Sequence, residues 1–350
     1  MLIDQEYYRV GINDNKFWHK NRLVMYLYKC MLNDQSAWLD VTPEGSNLHG
    51  CGLYQQLDEF CDATGYAKQQ ITIRTGNMIE HHHSYKIQHD PTAWFEVPIM
   101  QDWIRKNPQQ ITTAPEKHFG HFIGKSNWHR LWLAAVLDSD HANKTFQTYN
   151  TGLATHYLAK TDDVKDFIGL EDLVKNDCDI LDRAVSFLKT CPRVIPEDLR
   201  AIQHMPTYIK QQDHYPIQFP ANLNILQYYN DIFVDVVHET FVRDNVCFAT
   251  EKTWRPMLAR RPFISMAGRQ HLEFLHRLGF QTFSQYWNET YDDHGMQHRI
   301  HKIIDVINHI ATWDTKQLEQ VLLDMRPILD HNYNVFMNLT GHKILKAFCE

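Results

Sequence analysis

At 350 residues the chain exceeds one ordinary folding unit, which points to two units with a core each and excludes a lone small binding module. With 43% hydrophobic, 12% aromatic and 22% charged residues it has enough apolar mass to offset chain entropy, so wholesale disorder is excluded. A formal net charge of -7 gives no global attraction to nucleic acid or an anionic membrane, although a local basic patch remains compatible with it.

Met1 to Lys16 carries acids and polar groups where a secretory leader would be apolar. No stretch reaches the roughly 18 apolar residues of a membrane span, so a cytoplasmic protein without a membrane partner is expected. The cysteines, 7 in number and without a CxxC pair, suit a reducing compartment, where they serve as small buried hydrophobes. Residues 1–112 alternate strand-like pieces, Arg9 to Ile12 and Ile71 to Arg74, with a helical pattern over Arg22 to Leu32, in which Leu23, Tyr26, Leu27 and Cys30 recur. That alternation implies an N-terminal α/β domain. His81, His82 and His83, being adjacent, do not share a face on a strand or a helix, so they are not read as a metal site. The polar, proline-flanked stretch from Asn107 to Pro115 reads as a linker to a second domain over residues 113–350.

That second domain opens with a strand over Phe119 to Ile123, a turn over Gly124 to Asn127 and an apolar-striped helix from Trp128 to Leu137. A strand, a short polar turn and a helix start form an anion-binding corner, because unsatisfied backbone N–H groups and the helix dipole aim at one place. Lys125 and Arg130 add formal charge there; an Arg130 that is merely solvated on the helix surface fits the segment equally well. Asp138-Ser139-Asp140 has the DxD form of a metal motif but follows a helix end, where a solvated turn is expected.

A mostly helical insert is expected over residues 153–220, with pieces at 165–175 and 179–189, followed by a buried strand from Ile232 to His238. Beyond it the chain reads as a loop to Phe248, a helix capped by Thr250, a strand over Pro262 to Met266, a helix from Gln270 to Leu278 and a short element at Phe280 to Phe283. This βαβα progression implies parallel strands with ligands at their carboxyl ends, near Glu239, Thr250 and Gly268. A helix start with Lys252 suits phosphate oxygens, and Glu251 suits ribose hydroxyls. A plain helix start with an acid in its first turn fits the same residues.

Thr250-Glu251-Lys252, preceded by a strand ending in an acid and followed by a helix and the strand Arg261-Pro262-Phe263-Ile264-Ser265, resembles the donor-binding motif of the alpha-1,3-fucosyltransferase family. The segment Lys117 to Arg130 resembles that family's KFxxFxxSNxxxxR motif, upstream as in the family. The run from Thr250 to Ser265, with Leu278 to Phe283 and Asn288 to Asp292, is closer still to glycosyltransferase-like proteins of bacteriophages and large viruses. The resemblance covers residues 115–152 and 230–310. It implies an α/β fold of GT-B type, two Rossmann-like domains facing across a cleft, within the cytoplasm of a host cell if the chain is viral. The donor would be a nucleotide-sugar co-substrate, a GDP-sugar first, with no other cofactor and no metal. Lys125, Asn127, Arg130, Glu239, Thr250, Glu251, Lys252 and Arg255 become the donor-binding set, with Arg130 and Lys252 on the diphosphate and Glu251 on the ribose. Glu239-Thr240 stands where the family has Glu-Asn, and the insert is unusually long; both leave the sugar open.

An inverting transfer needs a base for the acceptor hydroxyl. The implied fold places it in the N-terminal domain, where the candidates are Glu80, Asp90 and Glu96. The expected acceptor is a glycan or small molecule. Two alternatives are sugar transfer to modified bases of viral DNA, which calls for base flipping, and a non-catalytic nucleotide-binding protein of the same fold.

Overall fold

The computed structural model describes residues 8–9, 12–13, 16–17, 20–41, 48–90, 96–108, 112–124, 128–149, 179–193, 223–240, 242 and 246–349. Lys125, Asn127 and most of the expected insert, including its piece at 165–175, lie outside the described residues.

The chain begins with β1 (Tyr8–Arg9) and the antiparallel pair β2 (Ile12–Asn13) and β3 (Lys16–Phe17). It then alternates α1 (Lys20–Leu32), β4 (Ala37–Val41), α2 (Leu53–Thr64), β5 (Ile71–Thr75) and β6 (Lys86–His89). A first sheet has the order β1-β4-β5-β6, with every pair parallel. Leu23, Leu27 and Cys30, at helical spacing on α1, are buried against it, while Met25 and Leu32 on the other side of the helix are exposed. The Tyr26 hydroxyl pins α1 to β4 by accepting the Trp38 N–H at 3.0 Å and donating to the Trp38 carbonyl at 3.3 Å. Gly65 ends α2 at φ 75, a left-handed conformation that glycine takes without a Cβ clash.

The remainder comprises α3 (Glu96–Lys106), β7 (Lys117–Ile123), α4 (Trp128–His141), β8 (Thr145–Tyr149), α5 (Ile180–Leu188), β9 (Ile232–His238), α6 (Glu251–Leu258), β10 (Phe263–Met266) and α7 (His271–Arg277). A C-terminal helical run of α8 (Met296–Ala311), α9 (Thr315–Asp324), α10 (Arg326–Met337) and α11 (Gly341–Cys349) completes the chain. The second sheet has the order β10-β9-β7-β8, again all parallel. Its winding reverses between β7 and β9, and in open parallel sheets such a reversal opens a crevice at the carboxyl ends of those two strands. Every residue of β9 is buried, as a strand covered on both faces requires. Gly120 lets β7 approach β9 so closely that a Cβ at this position would collide with the Ile232 side chain.

The architecture is thus α/β with parallel sheets, as the sequence implies. Three details differ from expectation. Asp138, Ser139 and Asp140 lie within α4, which runs on to His141, and not in a turn after it. Val97, Met100 and Ile104 of α3 pack in the second core although α3 precedes the linker stretch, and Gln101 Nε2 donates to the carbonyls of Phe336 at 2.7 Å and Leu339 at 2.9 Å. Phe280 to Phe283 forms no regular element. Its backbone is satisfied instead by Asn332 of α10, which accepts the Gln281 N–H and donates to the Gln281 carbonyl, both at 2.8 Å.

Among the described residues the cysteines are free thiols: Cys30, Cys51, Cys61 and Cys247 are buried, and Cys191 is half-buried. No helix is long and apolar enough to cross a membrane among the described residues.

Candidate functional site

The site is the corner where β9 ends and α6 begins. Thr250 is the N-cap of α6, in an extended conformation with φ -114 and ψ -176, and its hydroxyl accepts the Lys252 N–H at 3.5 Å. Glu239, one residue past β9 and 1% exposed, holds this cap. Its Oε1 accepts the Thr250 N–H at 3.0 Å and the Thr253 hydroxyl at 2.6 Å, and its Oε2 accepts the Thr250 hydroxyl at 2.6 Å. Thr253 Oγ1 also lies 3.3 Å from His271 Nε2. Because the Thr253 proton is committed to Glu239, the proton of this second contact belongs to His271 Nε2. Burial lowers the His271 pKa to about 4, so the ring is neutral at pH 7.

Lys252 Nζ reaches Glu251 Oε1 at 2.9 Å, Thr250 Oγ1 at 3.0 Å and Thr240 Oγ1 at 3.4 Å. Arg130, in the first turn of α4 and 3% exposed, sends Nη2 to the carbonyls of His238 at 3.3 Å and Glu239 at 3.2 Å. The two motifs therefore meet on one dipeptide: Arg130 binds the Glu239 carbonyl, and Lys252 binds the Thr240 hydroxyl. Arg130 is consequently not a solvated surface residue.

The surprise is Glu96. The first residue of α3 delivers its carboxyl Oε2 to the Glu251 N–H at 3.0 Å, across 155 residues of sequence. Burial, then the neighbouring Glu251 carboxylate, pushes Glu96 up to about 8, with Lys252 pulling the other way. Both causes favour its protonated form. The free backbone donors that the sequence suggests at this helix start are thus already occupied: Thr250 N–H by Glu239, Glu251 N–H by Glu96, Lys252 N–H by the Thr250 hydroxyl, and Thr253 N–H by the Thr250 carbonyl at 3.0 Å. Glu96 alone among these partners comes from outside residues 239–253.

Three histidines flank the corner. His121 Nδ1 lies 3.4 Å from Gln147 Oε1, an acceptor, so Nδ1 carries the proton and Nε2 accepts from His238 Nδ1 at 2.9 Å. His238 Nε2 is left as a buried acceptor without a hydrogen-bond partner among the described residues. His129 packs its ring 5.4 Å from that of His238. Burial holds His121 down at about 4 and His238 well below the ordinary range.

The other sequence candidates are elsewhere. Arg255 is 2% exposed and acts on the buried Asp235 and Tyr229. Asp90 is ion-paired with Arg74. Glu80 is 5% exposed and accepts the Tyr54 hydroxyl at 2.9 Å and Asn77 Nδ2 at 3.3 Å. Burial raises its proton affinity. Asp138 and Asp140 are paired with Arg193 at 2.7 Å and Arg183 at 2.8 Å. No group of three or more His, Cys, Asp or Glu side chains is arranged to hold a metal among the described residues. The α6 corner nevertheless has a physical link to Glu80: Asn77 Oδ1 accepts the Cys247 N–H at 2.8 Å, and the Met78 N–H reaches the Cys247 carbonyl at 3.2 Å. Thr253, which bonds Glu239, and His271, which contacts Thr253, are not among the sequence candidates; the spacing of Thr250 and Thr253, three apart, is the available signal for the first.

The chain matches no protein-family model, no curated protein and no solved structure.

Proposed function

We propose that the chain is a glycosyltransferase that moves a sugar from a nucleotide-sugar, a GDP-sugar first, to a glycan or small acceptor. In this reading the two parallel sheets are the Rossmann-like halves of a GT-B arrangement, with the expected boundary near residue 112 moved ahead of α3, which packs in the second core. The observation that carries it is the convergence of Arg130 and Lys252 on Glu239-Thr240 beside the winding reversal of the second sheet. The donor's diphosphate would lie at the α6 start against Lys252, with Arg130 and the helix dipole balancing the charge that develops as the sugar leaves. The bond from sugar C1 to the phosphate oxygen breaks with its electron pair going to the diphosphate, the acceptor oxygen bonds to C1, and the acceptor proton passes to a base.

In-line attack keeps that base away from the leaving diphosphate. Glu96, bonded to Glu251 N–H, is on the diphosphate side, and Asp90 is committed to Arg74. Glu80 is therefore our choice of base. Arg255 then supports α6 from below, and Glu239 positions its cap; neither touches the donor.

A second reading is nucleotide binding without catalysis: the α6 donors and the Lys252 ammonium are satisfied internally, so a diphosphate must displace Glu96, and that exchange by itself requires no sugar transfer. A panel of GDP- and UDP-sugars assayed for nucleotide release separates the two. Release from one donor that drops on the order of 30-fold or more in Lys252→Ala supports transfer; binding of nucleotide without release from any donor supports the second reading.

A further inference from the structure

A second gathering of ring and titratable side chains stands at the carboxyl edge of the first sheet, where parallel strands present their ligand sites. His49 follows β4, Tyr54 lies in the first turn of α2, and Glu80, His82 and His83 lie between β5 and β6. Their rings form a stack. Tyr54 lies 4.3 Å from His82 at 27°, His82 lies 4.7 Å from His83 at 17°, and His49 leans on Tyr54 at 4.5 Å. The stack runs from buried Tyr54 outward to His83 and His49, both exposed, the His49 side chain by 58%. Behind it sits the Glu80 carboxyl, bonded to Tyr54 and Asn77, with His49 Nε2 at 3.9 Å.

The charges select the ligand. Lys68, near His82, is paired with Asp58 and, at 3.8 Å, with Asp62, so it brings no surplus positive charge for a phosphate or a nucleic-acid backbone. The exposed rings of His83 and His49, with the Glu80 carboxyl behind them, suit a neutral ligand with C–H faces and hydroxyl groups. The Asn77–Cys247 joint ties this edge to the segment that leads into Thr250.

We propose that the His49, Tyr54, His82 and His83 rings, with the Glu80 carboxyl, form a binding site for a neutral saccharide, which is the acceptor of the transfer proposed above. Only the word acceptor rests on that reading; saccharide binding is measurable by itself. The experiment follows histidine ring signals of the full chain by NMR while lactose or methyl glycosides are added, with glycerol as the control for unspecific hydroxyl effects. Saturable shifts at His49, His82 and His83 with a saccharide and none with glycerol are expected. His83→Ala and His49→Ala, exposed changes that leave the core alone, should weaken binding about two- to tenfold, the range of a lost ring contact. Glu80→Gln should weaken it as well. Shifts with none of the sugars, or shifts unaffected by both surface variants, overturn the inference. If GDP binds at the α6 corner and no saccharide binds here, this inference falls and the donor reading stands. If saccharides bind here and no nucleotide binds anywhere, the site stands and the transfer reading falls.

Discussion

If phosphate oxygens take the Glu251 N–H, Glu96 must give it up, and this makes diphosphate affinity depend on Glu96 in a calculable way. Replacing Glu96 by alanine removes one hydrogen bond from the unliganded state only. That bond, to an acid held toward its protonated form, is worth about 0.5 to 1.5 kcal/mol, so GDP should bind about two- to tenfold more tightly at pH 7. Ionised Glu96 also repels the ligand. Its affinity for the proton, raised to about 8 by burial and by Glu251, means that wild-type GDP affinity should fall as pH rises through that value. If the bound state keeps Glu96 protonated, one proton is linked to binding and affinity falls by up to about tenfold per pH unit once Glu96 ionises in the free protein. Glu96→Gln, which keeps an acceptor oxygen but cannot ionise, should bind GDP with no such fall. The groups facing Glu96 are Glu251, Lys252 and Glu239, so the Gln variant separates its contribution from theirs. Calorimetric titration of GDP into the three proteins below and above about pH 8 is the assay. A flat wild-type profile, or a Gln variant as pH-dependent as the wild type, refutes the reasoning.

Glu239→Gln replaces an oxygen that accepts the Thr250 hydroxyl by an amide donor, and should cost about 1.5 to 3 kcal/mol in urea unfolding, the range for a hydrogen bond to a charged group; a loss under about 0.5 kcal/mol would show that the cap does not depend on it. Gly120→Ala drives a Cβ into Ile232 and should destabilise by about 1 to 3 kcal/mol, with Ile232→Val restoring much of the loss by removing the colliding methyl; equal stability of Gly120→Ala and wild type contradicts the close approach. His121 and His271 should keep neutral ring signals by NMR until about pH 4. Because both folded values lie below the ordinary 6.5, their contribution to stability is complete above that pH and is lost as pH falls toward 4. Titration of either ring near 6.5 in the folded protein would show that it is not buried as described.

The second sheet was largely legible because its signals are local. Ile232 to His238 is a continuous β-branched and apolar run, as a strand buried on both faces must be, and Thr250 ahead of Glu251 is a cap visible in four residues. The order of its strands, and so the crevice between β7 and β9, follows from pairings no periodicity records. What failed was also physical. Glu96 reads from sequence only as a candidate base of the N-terminal domain, yet it opens α3, whose first turn accommodates Pro98 without losing a hydrogen bond. Its bond to Glu251 spans 155 residues and leaves no trace in either segment. Phe280 to Phe283 reads as a short element because its two phenylalanines are apolar, but both are buried from a loop in which Asn332 bonds the Gln281 backbone. Arg130 was ambiguous since three percent exposure and two carbonyl partners are tertiary facts.

The central claim, that the corner formed by Arg130, Glu239-Thr240 and the start of α6 holds a nucleotide diphosphate, is tested most directly by comparing GDP with guanosine. Isothermal titration of both into wild type and Lys252→Ala isolates the diphosphate's contribution. The account predicts that GDP binds the wild type, that guanosine binds far more weakly, and that Lys252→Ala loses about 1.5 to 3 kcal/mol for GDP while leaving guanosine unchanged. Equal affinities of wild type and Lys252→Ala for GDP, or no preference for GDP over guanosine, would contradict it.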